Sequence, residues 1–396
     1  MDQLLLMILE KSRPWIQAEA CSIFLPDPLS GELVIHSAQG TSSPQLGELR
    51  IPHGCGLVGI AMSEKHLVRV DDVQNDPRFY SSVDKKTGWV TRALLAAPLL
   101  DGDRCIGVIE FLNPIGRKHF SCRDEEMVEY FSSLVAASLV RIEFNEVAVK
   151  RAQLQRDLDL AREMQEGLLS TDFPKPDADH PFDLYAQLNP AYEVSGDLYD
   201  FFYLSDGRLC FLVGDVADKG VAAGLFMAVT RTLIRAVAID RFDPVEILSL
   251  TNKQLCPSNK AMLFITVVLA LYDSCSGSVN YALAGHNPPV LLKSTGEAEY
   301  LPPGGQPLGI FEDAYFGSNQ LTLARGDIFF IYSDGVTEAM NASHGKFGED
   351  QLLATLANRA GLSAQEITEL VTANVNEHVR GAEQSDDITL MTLKRL

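Results

Sequence analysis

The stretch EVSGDLYDFF, residues 193–202, places two carboxylates, Asp197 and Asp200, in a turn of small residues that leads into an aromatic run. The run is typical of a β-strand. One acidic residue at a strand end is ordinary turn or capping chemistry. The fold and the function therefore depend on whether other carboxylates of the chain are placed in the same way.

Three other segments have carboxylates at the end of a predicted strand. The apolar runs 209–213 and 328–332 are followed by Asp215 and Asp334, and the run 388–393 is preceded by Asp386 and Asp387. Carboxylates gathered in one place repel each other unless a cation is present. Carboxylate oxygens are the ligands that Mg²⁺ and Mn²⁺ prefer. We therefore expect a site for divalent cations, where a bridging carboxylate allows two ions to activate a water.

The composition of the chain limits its partners and its compartment. Its 396 residues suggest two or three domains, and 46% hydrophobic residues are enough for well-formed cores. The net charge of −20 argues against nucleic acid and anionic membrane surfaces as partners. Seven scattered cysteines without a Cys-x-x-Cys pair argue against a disulfide framework and a thiolate zinc site. We expect a cytosolic protein.

The first part of the chain is predicted to consist of short strands and turns between residues 21 and 114. A hairpin is expected around residues 26–31, and two apolar strands are expected on either side of the turn 101–103. The apolar run 4–9 is too short to span a bilayer and is predicted to be an amphipathic helix docked on this domain. Ser121 is a predicted N-cap for the helix that follows.

That helix is predicted to run from Asp124 to Leu169, a stretch whose only glycine is Gly167 and which has no proline. Apolar residues recur in it at seven-residue spacing. The residues four positions further on, which would complete the seam of a coiled coil, are mostly polar. The first set is Val147, Leu154, Ala161 and Leu168, and the second is Arg151, Leu158 and Gln165. The spacing favours a parallel coiled-coil dimer stalk. A helix packed on its own domains is the alternative. Three prolines in 170–182 predict a linker.

Residues 182–396 resemble a metal-dependent PPM (protein phosphatase 2C-like) serine/threonine phosphatase of the SpoIIE/RsbU-type branch. The segments that carry the resemblance are, in family order, VSGDLYD, GDVADKG, MLFITVVLALYD, AGHNPP, GGQPLGI, IYSDGVTEAMN, FGEDQL and SDDITL. AREMQEGLLS, just upstream, is similar to the entry helix of the branch. The resemblance implies an α+β chain whose second domain is an α-β-β-α sandwich. The helix after residue 220 is expected in an outer layer, with Leu225, Val229, Leu233 and Ala236 on one face.

The resemblance also implies roles for the strand-end carboxylates. Asp215 would bridge two Mn²⁺ or Mg²⁺ ions, and the backbone carbonyl of Val216 would be a further ligand. The other metal and catalytic residues would be Asp197, Asp334 and Asp386, with Asp200 and Asp387 as auxiliary residues. The family more often has glycine at Ser195, and many members have it at Asp218. His286 in AGHNPP is expected to have a structural hydrogen-bonding role.

Residues 1–145 resemble a GAF sensor domain, an antiparallel sheet with flanking helices. The segments are AEACSIFLPD, GCGLVGIAM, DDVQNDPRF, APLLDGDRCIGVIEFLN and FSCRDEE. The last, together with residues 75–99, is similar to the cyclic-nucleotide-binding subset. That subset has a lysine after its asparagine, whereas here Asn113 is followed by Pro114. A cyclic nucleotide is therefore one candidate ligand, and an unliganded dimerisation module is the alternative.

The resulting domain hypothesis is a GAF domain at 1–145, a helical linker at 124–170 and a phosphatase domain at 182–396. The resemblance implies a phosphatase that hydrolyses phosphoserine or phosphothreonine on an anti-sigma-factor antagonist, and the heptad spacing of the helix indicates a homodimer. Water would attack phosphorus directly, since no cysteine or histidine nucleophile is placed for a phosphoenzyme. The alternatives are an inert scaffold and a metal-dependent hydrolase of small phosphoesters.

Overall fold

The computed structural model describes residues 2–40, 50–178 and 180–396. The chain divides into two compact units, Met1–Gln153 and Leu154–Leu396. The boundary lies within the long helix that the sequence predicts. Residue 179, in the predicted linker, lies outside the described residues.

The N-terminal unit is a six-stranded antiparallel sheet in the order β3-β2-β1-β6-β5-β4. The strands are β1 (Ala18–Pro26), β2 (Leu33–Gln39), β3 (Arg50–Ile51), β4 (Val68–Val70), β5 (Leu94–Asp101) and β6 (Arg104–Pro114). The helices are α1 (Asp2–Ile16), α2 (Gly56–Glu64), α3 (Ser82–Thr87) and α4 (Cys122–Glu166). One face of the sheet packs on α1 and α4, and the other packs on α2 and the segment around α3. The predicted hairpin and the β5–β6 pair are confirmed.

Apolar burial positions α1 in this unit, and an N-cap fixes the start of α4. In α1, Leu5 and Leu9 are fully buried, which confirms an amphipathic helix docked on the sheet. The start of α4 is fixed by a reciprocal cap, because Ser121 Oγ donates to the Asp124 carboxylate at 2.7 Å and accepts from the Asp124 amide at 3.4 Å. Ser121 is therefore the N-cap that the sequence predicts.

Helix α4 is partly buried in its first part and largely exposed to solvent further on. Its buried residues lie between Asp124 and Leu139, where it packs on the sheet. Further on, the predicted seam is largely solvent-exposed in the single chain, with Val147 and Leu154 each 61% exposed. The aromatic side chain of Phe144, one turn earlier, is 71% exposed. This arrangement leaves an apolar stripe without a partner in the described structure.

The C-terminal unit is a sandwich of two five-stranded antiparallel sheets, with orders β14-β11-β10-β9-β8 and β13-β12-β15-β16-β7. The strands of the first sheet are β8 (Leu198–Tyr203), β9 (Leu209–Ala217), β10 (Phe264–Asp273), β11 (Ser278–Ala284) and β14 (Gly317–Thr322). Those of the second are β7 (Phe182–Asn189), β12 (Val290–Leu292), β13 (Ala298–Tyr300), β15 (Ile328–Tyr332) and β16 (Ile388–Arg395). The helices are α5 (Val221–Ala238), α6 (Pro244–Leu255), α7 (Asp334–Thr337), α8 (Glu349–Leu356) and α9 (Ala364–Val379).

Three apolar layers hold this unit together. The facing sides of the two sheets share one core, α5 and α6 pack outside the first sheet, and α7, α8 and α9 pack outside the second. The α-β-β-α sandwich is therefore confirmed. Because β8 and β9 belong to one sheet and β15 and β16 to the other, both sheets contribute strand ends to the same edge.

The face of α5 that packs on the sheet differs from the predicted one. Ala223, Met227 and Ile234 are fully buried, whereas Leu225 is 64% and Val229 is 50% exposed. The prediction was wrong because apolar residues occur on both faces of this helix. Among the described residues, α5 is the single helix long and apolar enough to cross a membrane by length and composition.

Candidate metal centre

The four carboxylates predicted to bind metal lie on four neighbouring elements of the sandwich. Asp197 precedes β8, Asp215 lies in β9, Asp334 begins α7 two residues after the end of β15, and Asp386 lies two residues before β16. Strand β9 continues to Ala217, so Asp215 lies within the strand and not after it as predicted. The extra residues pair with the start of β10, where Thr266 is opposite Asp215.

These carboxylates interact electrostatically. Burial, followed by the charges of Asp334 and Asp386, raises the pKa of Asp215 to about 7, against an opposing hydrogen bond with Asp197. Burial and the charge of Asp215 raise the pKa of Asp197 well above its usual range. Burial and the charge of Asp386 likewise raise the pKa of Asp334. The cluster is therefore an unfavourable place for four negative charges alone.

Two of the four are turned toward protein donors. Thr389 Oγ1 donates to Asp197 Oδ2, and Lys219 Nζ lies 3.1 Å from Asp386 Oδ2. In the side-chain arrangement that the structure describes, no three His, Cys, Asp or Glu side chains of residues 2–40, 50–178 and 180–396 are grouped closely enough to hold one ion. The electrostatic interactions between Asp197, Asp215, Asp334 and Asp386 nevertheless join the four carboxylates into one cluster.

Asp387 organises the loop in front of β8. Its carboxylate accepts hydrogen bonds from the amides of Ala191 (2.7 Å) and Gly196 (2.9 Å) and from Ser195 Oγ (2.7 Å). Ser195 Oγ also accepts from the Asp197 amide at 3.0 Å. Ser195 and Asp387 thus fix the loop that carries Asp197.

The structure places Asp200 outside the centre, contrary to the prediction that it assists the metals. Its fully buried carboxylate receives a bidentate interaction from Arg235, with Nε at 2.6 Å and Nη2 at 2.7 Å. Arg231 Nε lies 3.1 Å away, and Ser170 Oγ donates at 2.7 Å. Because these donors saturate the carboxylate, Asp200 joins β8 to α5 and to the segment after α4.

The end of α4 also reaches the loop that carries Asp197. Gln165 Nε2 donates to the Ser195 carbonyl at 2.6 Å, and the Ser195 amide donates to Gln165 Oε1 at 2.9 Å. This pair of bonds imitates the backbone pairing of a strand. A side chain of the helix therefore holds the main chain two residues from Asp197.

Two glycines allow the backbone to come close at the centre. A Cβ at Gly196 would lie 3.1 Å from the carbonyl oxygen of Val216, the predicted backbone ligand. A Cβ at Gly335, the residue after Asp334, would collide with the Asp387 carbonyl. Asp218 has a φ of 134°, a region that glycine adopts more readily than aspartate.

His286 joins the two sheets beneath the carboxylates. Its Nε2 donates to the Tyr332 carbonyl at 3.1 Å, so its Nδ1 accepts from Thr266 Oγ1 at 2.7 Å. Burial lowers the pKa of His286 to about 4. The ring is therefore neutral and fully engaged, in agreement with its predicted structural role.

Three features of the centre were not predicted from the sequence: Lys219, Thr389 and the hydrogen-bonding role of Gln165. Lys219 stands inside GDVADKG and Gln165 inside AREMQEGLLS, so both lay in segments already singled out. Their side-chain partners are about 30 to 170 residues away along the chain, and no spacing rule predicts such pairs.

The donor set fits divalent cations. Carboxylates from both sheets, together with the carbonyl of Val216, are hard oxygen ligands of the kind that Mg²⁺ and Mn²⁺ take. Burial and the neighbouring carboxylates both raise the pKa values of Asp197 and Asp215, so positive charge at this place would be favourable. Two cations would supply it.

Comparison with known families gives two matches. Residues 205–396 match the family described as Stage II sporulation protein E (SpoIIE), and residues 1–139 match the GAF domain. The two matches lie in the two compact units, on either side of the second half of α4.

Two curated proteins and one solved structure are similar to parts of the chain. Protein IcfG of Synechocystis sp. is 30% identical over 275 residues, which cover 62% of this chain and 43% of IcfG. The phosphoserine phosphatase RsbU of Bacillus subtilis is 27% identical over 244 residues, which cover 61% of this chain and 71% of RsbU. The SiaA-PP2C domain of Pseudomonas aeruginosa, at 23% identity, has a TM-score of 0.55 and covers 62% of this chain and 99% of that domain. The last similarity shows a shared fold, and the chain spans less than half of IcfG.

Proposed function

We propose that this chain, whose residues 205–396 match the SpoIIE family and whose residues 1–139 match the GAF domain, is a Mn²⁺- or Mg²⁺-dependent protein-serine/threonine phosphatase under GAF control. The observation that carries this proposal is the cluster of Asp197, Asp215, Asp334 and Asp386. When bound there, two divalent cations would neutralise the carboxylates and acidify the water that attacks phosphorus.

The residues around the cluster have positioning roles in this proposal. Asp387 and Ser195 fix the loop of Asp197, and Gly335 lets the turn after β15 approach β16. His286 braces the two sheets and has no free nitrogen for attack on phosphorus. Direct hydrolysis by water, without a phosphoenzyme, is consistent with that arrangement.

We propose a phosphoserine or phosphothreonine protein as the substrate. The similarity to RsbU, a phosphoserine phosphatase by name, supports this class. The family resemblance extends the proposal to an anti-sigma-factor antagonist in a partner-switching pathway. An inert scaffold is less well supported, because all four carboxylates are present. A hydrolase of small phosphoesters is the second alternative. Comparing the turnover of a phosphoprotein with that of a small phosphoester distinguishes it from a protein phosphatase.

The test compares wild type with Asp215→Asn on a phosphoserine protein, a phosphoserine peptide and a free nucleotide, with and without Mn²⁺. We expect wild type to release phosphate from the phosphoprotein at the highest kcat/KM, and to stop in EDTA. The exposed Asp313→Asn is the matched control and should keep wild-type rates. Turnover of the nucleotide alone would support the small-phosphoester alternative. No Mn²⁺-dependent turnover of any substrate would support the scaffold.

For the GAF domain we propose a planar ligand with an N–H donor, with cyclic nucleotides as the first candidates. The pocket between the sheet and α2 and α3 is lined by Phe79, Tyr80 and Trp89 and contains the buried carboxyl of Glu110. Aromatic walls stack on planar rings, and a buried carboxyl recognises a donor. The accessible cavity is about 60 Å³, which suffices for one or two waters. A nucleotide can therefore bind only if the pocket opens. If the pocket stays closed, the alternative holds that the GAF domain is an unliganded dimerisation module.

We further propose that the protein is a cytosolic homodimer. The exposed stripe on α4, with Val147, Leu154 and Phe144, supports a parallel helical stalk. In a parallel dimer with Leu154 and Leu158 in the seam, Asp157 of one protomer would face Arg162 of its partner, which would be an attractive pair. All seven cysteines are free, which suits a reducing compartment.

A further inference from the structure

Lys219 lies at the rim of the carboxylate cluster, between the end of β9 and the start of α5. Its Nζ donates to the Ser385 carbonyl at 2.6 Å and lies 3.1 Å from Asp386 Oδ2. The same atom lies 5.1 Å from the ring centroid of Tyr192, within the range of a cation–π contact. The side chain is 43% exposed and the Tyr192 residue is 45% exposed, so both are open to solvent beside the cluster.

The charge of Lys219 reaches the predicted metal ligands. Burial works against its charged form, but the bond to Asp386 raises the pKa of Lys219 overall. Its charge in turn opposes the rise in the pKa of Asp334. Among the residues that the structure describes, Lys219 is the one basic side chain that forms an ion pair with any of the four carboxylates.

A charge count shows why the centre needs this lysine. Two divalent cations cancel the four carboxylates, so the loaded centre is close to neutral. A phosphomonoester adds a charge of about −2 near neutral pH. Among the described residues, Lys219 is the basic side chain in an ion pair with the cluster, so its ammonium is available to offset that charge. Lysine has three donors on a flexible stem and binds phosphate as a point charge.

We propose that Lys219 is a substrate-binding residue, whose ammonium leaves Asp386 and binds the phosphoryl group of the substrate once Asp386 serves a cation. Tyr192 then covers the lysine stem and shapes the entrance beside it. This inference rests on the proposed phosphatase function. The segment GDVADKG would then bind the substrate through Lys219, besides binding metal through Asp215.

The test uses Lys219→Met and Lys219→Arg in the full-length protein, with the exposed Lys253→Met as the matched control. Calorimetry measures the dissociation constants of Mn²⁺ and, on the Mn²⁺-loaded protein, of inorganic phosphate. Steady-state kinetics on a phosphoserine peptide separates KM from kcat. Thermal melting confirms that each variant is folded.

For Lys219→Met we expect the phosphate dissociation constant and the peptide KM to rise about tenfold, the loss of one charge-assisted hydrogen bond. Mn²⁺ should bind as tightly as in wild type or more tightly, because a competing ammonium is gone. Lys219→Arg should recover most phosphate binding, and Lys253→Met should match wild type.

Unchanged phosphate binding in Lys219→Met would overturn the inference while leaving the phosphatase function intact. Weakened Mn²⁺ binding, in parallel with weakened phosphate binding, would also overturn it, since Lys219 would then act by holding the loop of Asp386. A wild-type protein that binds Mn²⁺ but neither binds phosphate nor hydrolyses the peptide would instead refute the proposed function and the inference together.

Discussion

Replacing Glu110 with glutamine should remove a loss of folding stability that the N-terminal unit undergoes as the pH rises. Glu110 lies in the middle of β6, opposite Ser22 of β1 and Ala96 of β5, and faces the apolar pocket. Burial raises its pKa from 4.5 to about 8, a hydrogen bond from Ser22 opposes the rise, and the charge of Asp84 adds to it. Glutamine has nearly the same shape and does not ionise.

The sign and size of the effect follow from this shift. A carboxyl whose pKa is raised by folding contributes its full stability below its unfolded pKa and loses it as the pH rises through its folded pKa. The loss therefore runs from pH 4.5 to about pH 8 and amounts to roughly 4–5 kcal/mol. The free energies of unfolding of Glu110→Gln and wild type should agree near pH 4.5. Near pH 9 the variant should be several kcal/mol more stable.

Tryptophan fluorescence isolates this unit, because both tryptophans of the chain, Trp15 and Trp89, lie in it. Melting of the full-length protein is followed at pH 5, 7 and 9. The melting temperature of wild type should fall relative to the variant by roughly 10 °C between pH 5 and 9. The exposed Glu126→Gln is the control and should follow wild type. Parallel pH profiles for wild type and Glu110→Gln would refute the assignment of a buried, neutral carboxyl.

Three further predictions concern the linker and its contacts. Leu154→Glu with Leu158→Glu should convert a dimer into a monomer by light scattering, since a charge in a desolvated seam costs several kcal/mol; a wild-type monomer at tens of micromolar would contradict the stalk. Asp200→Asn should lower the free energy of unfolding by about 3–5 kcal/mol by leaving two arginines without their carboxylate, with Mn²⁺ affinity within about twofold of wild type; a large loss of affinity with unchanged stability would restore Asp200 to the metal centre. Gln165→Leu should weaken Mn²⁺ binding about tenfold in calorimetry, and wild-type affinity would show that the helix does not position Asp197.

The sequence predicted the elements that carry the centre because their signals are local. The apolar run of β15 has the predicted bounds, and Asp334 follows it as expected. Asp200 was assigned wrongly because it stands three residues from Asp197 in the same small-residue turn and strand. Its partners Arg231 and Arg235 come from a helix whose register no spacing rule relates to β8.

The same limit applies to α5 and to α4. Leu225 and Val229 form an apolar face as regular as the buried one, so periodicity alone did not identify the side that packs. Gln165 occupies a polar position in a predicted apolar seam. Only the fold shows that this side chain pairs with the backbone of Ser195.

The central claim is that Asp215 and its neighbours hold the cations of a phosphatase, and the activity of Asp215→Asn tests it most directly. Phosphate release from a phosphoserine protein is measured at saturating Mn²⁺, with Asp313→Asn as control and melting in EDTA as a check of the fold. We predict a loss of at least roughly a thousandfold in kcat/KM, because the change removes a ligand and part of the charge that holds the nucleophilic water. In EDTA the melting temperature should not fall, since burial and the charge of Asp334 destabilise an ionised carboxylate at this position. A variant that keeps more than about a tenth of the wild-type rate would contradict the account.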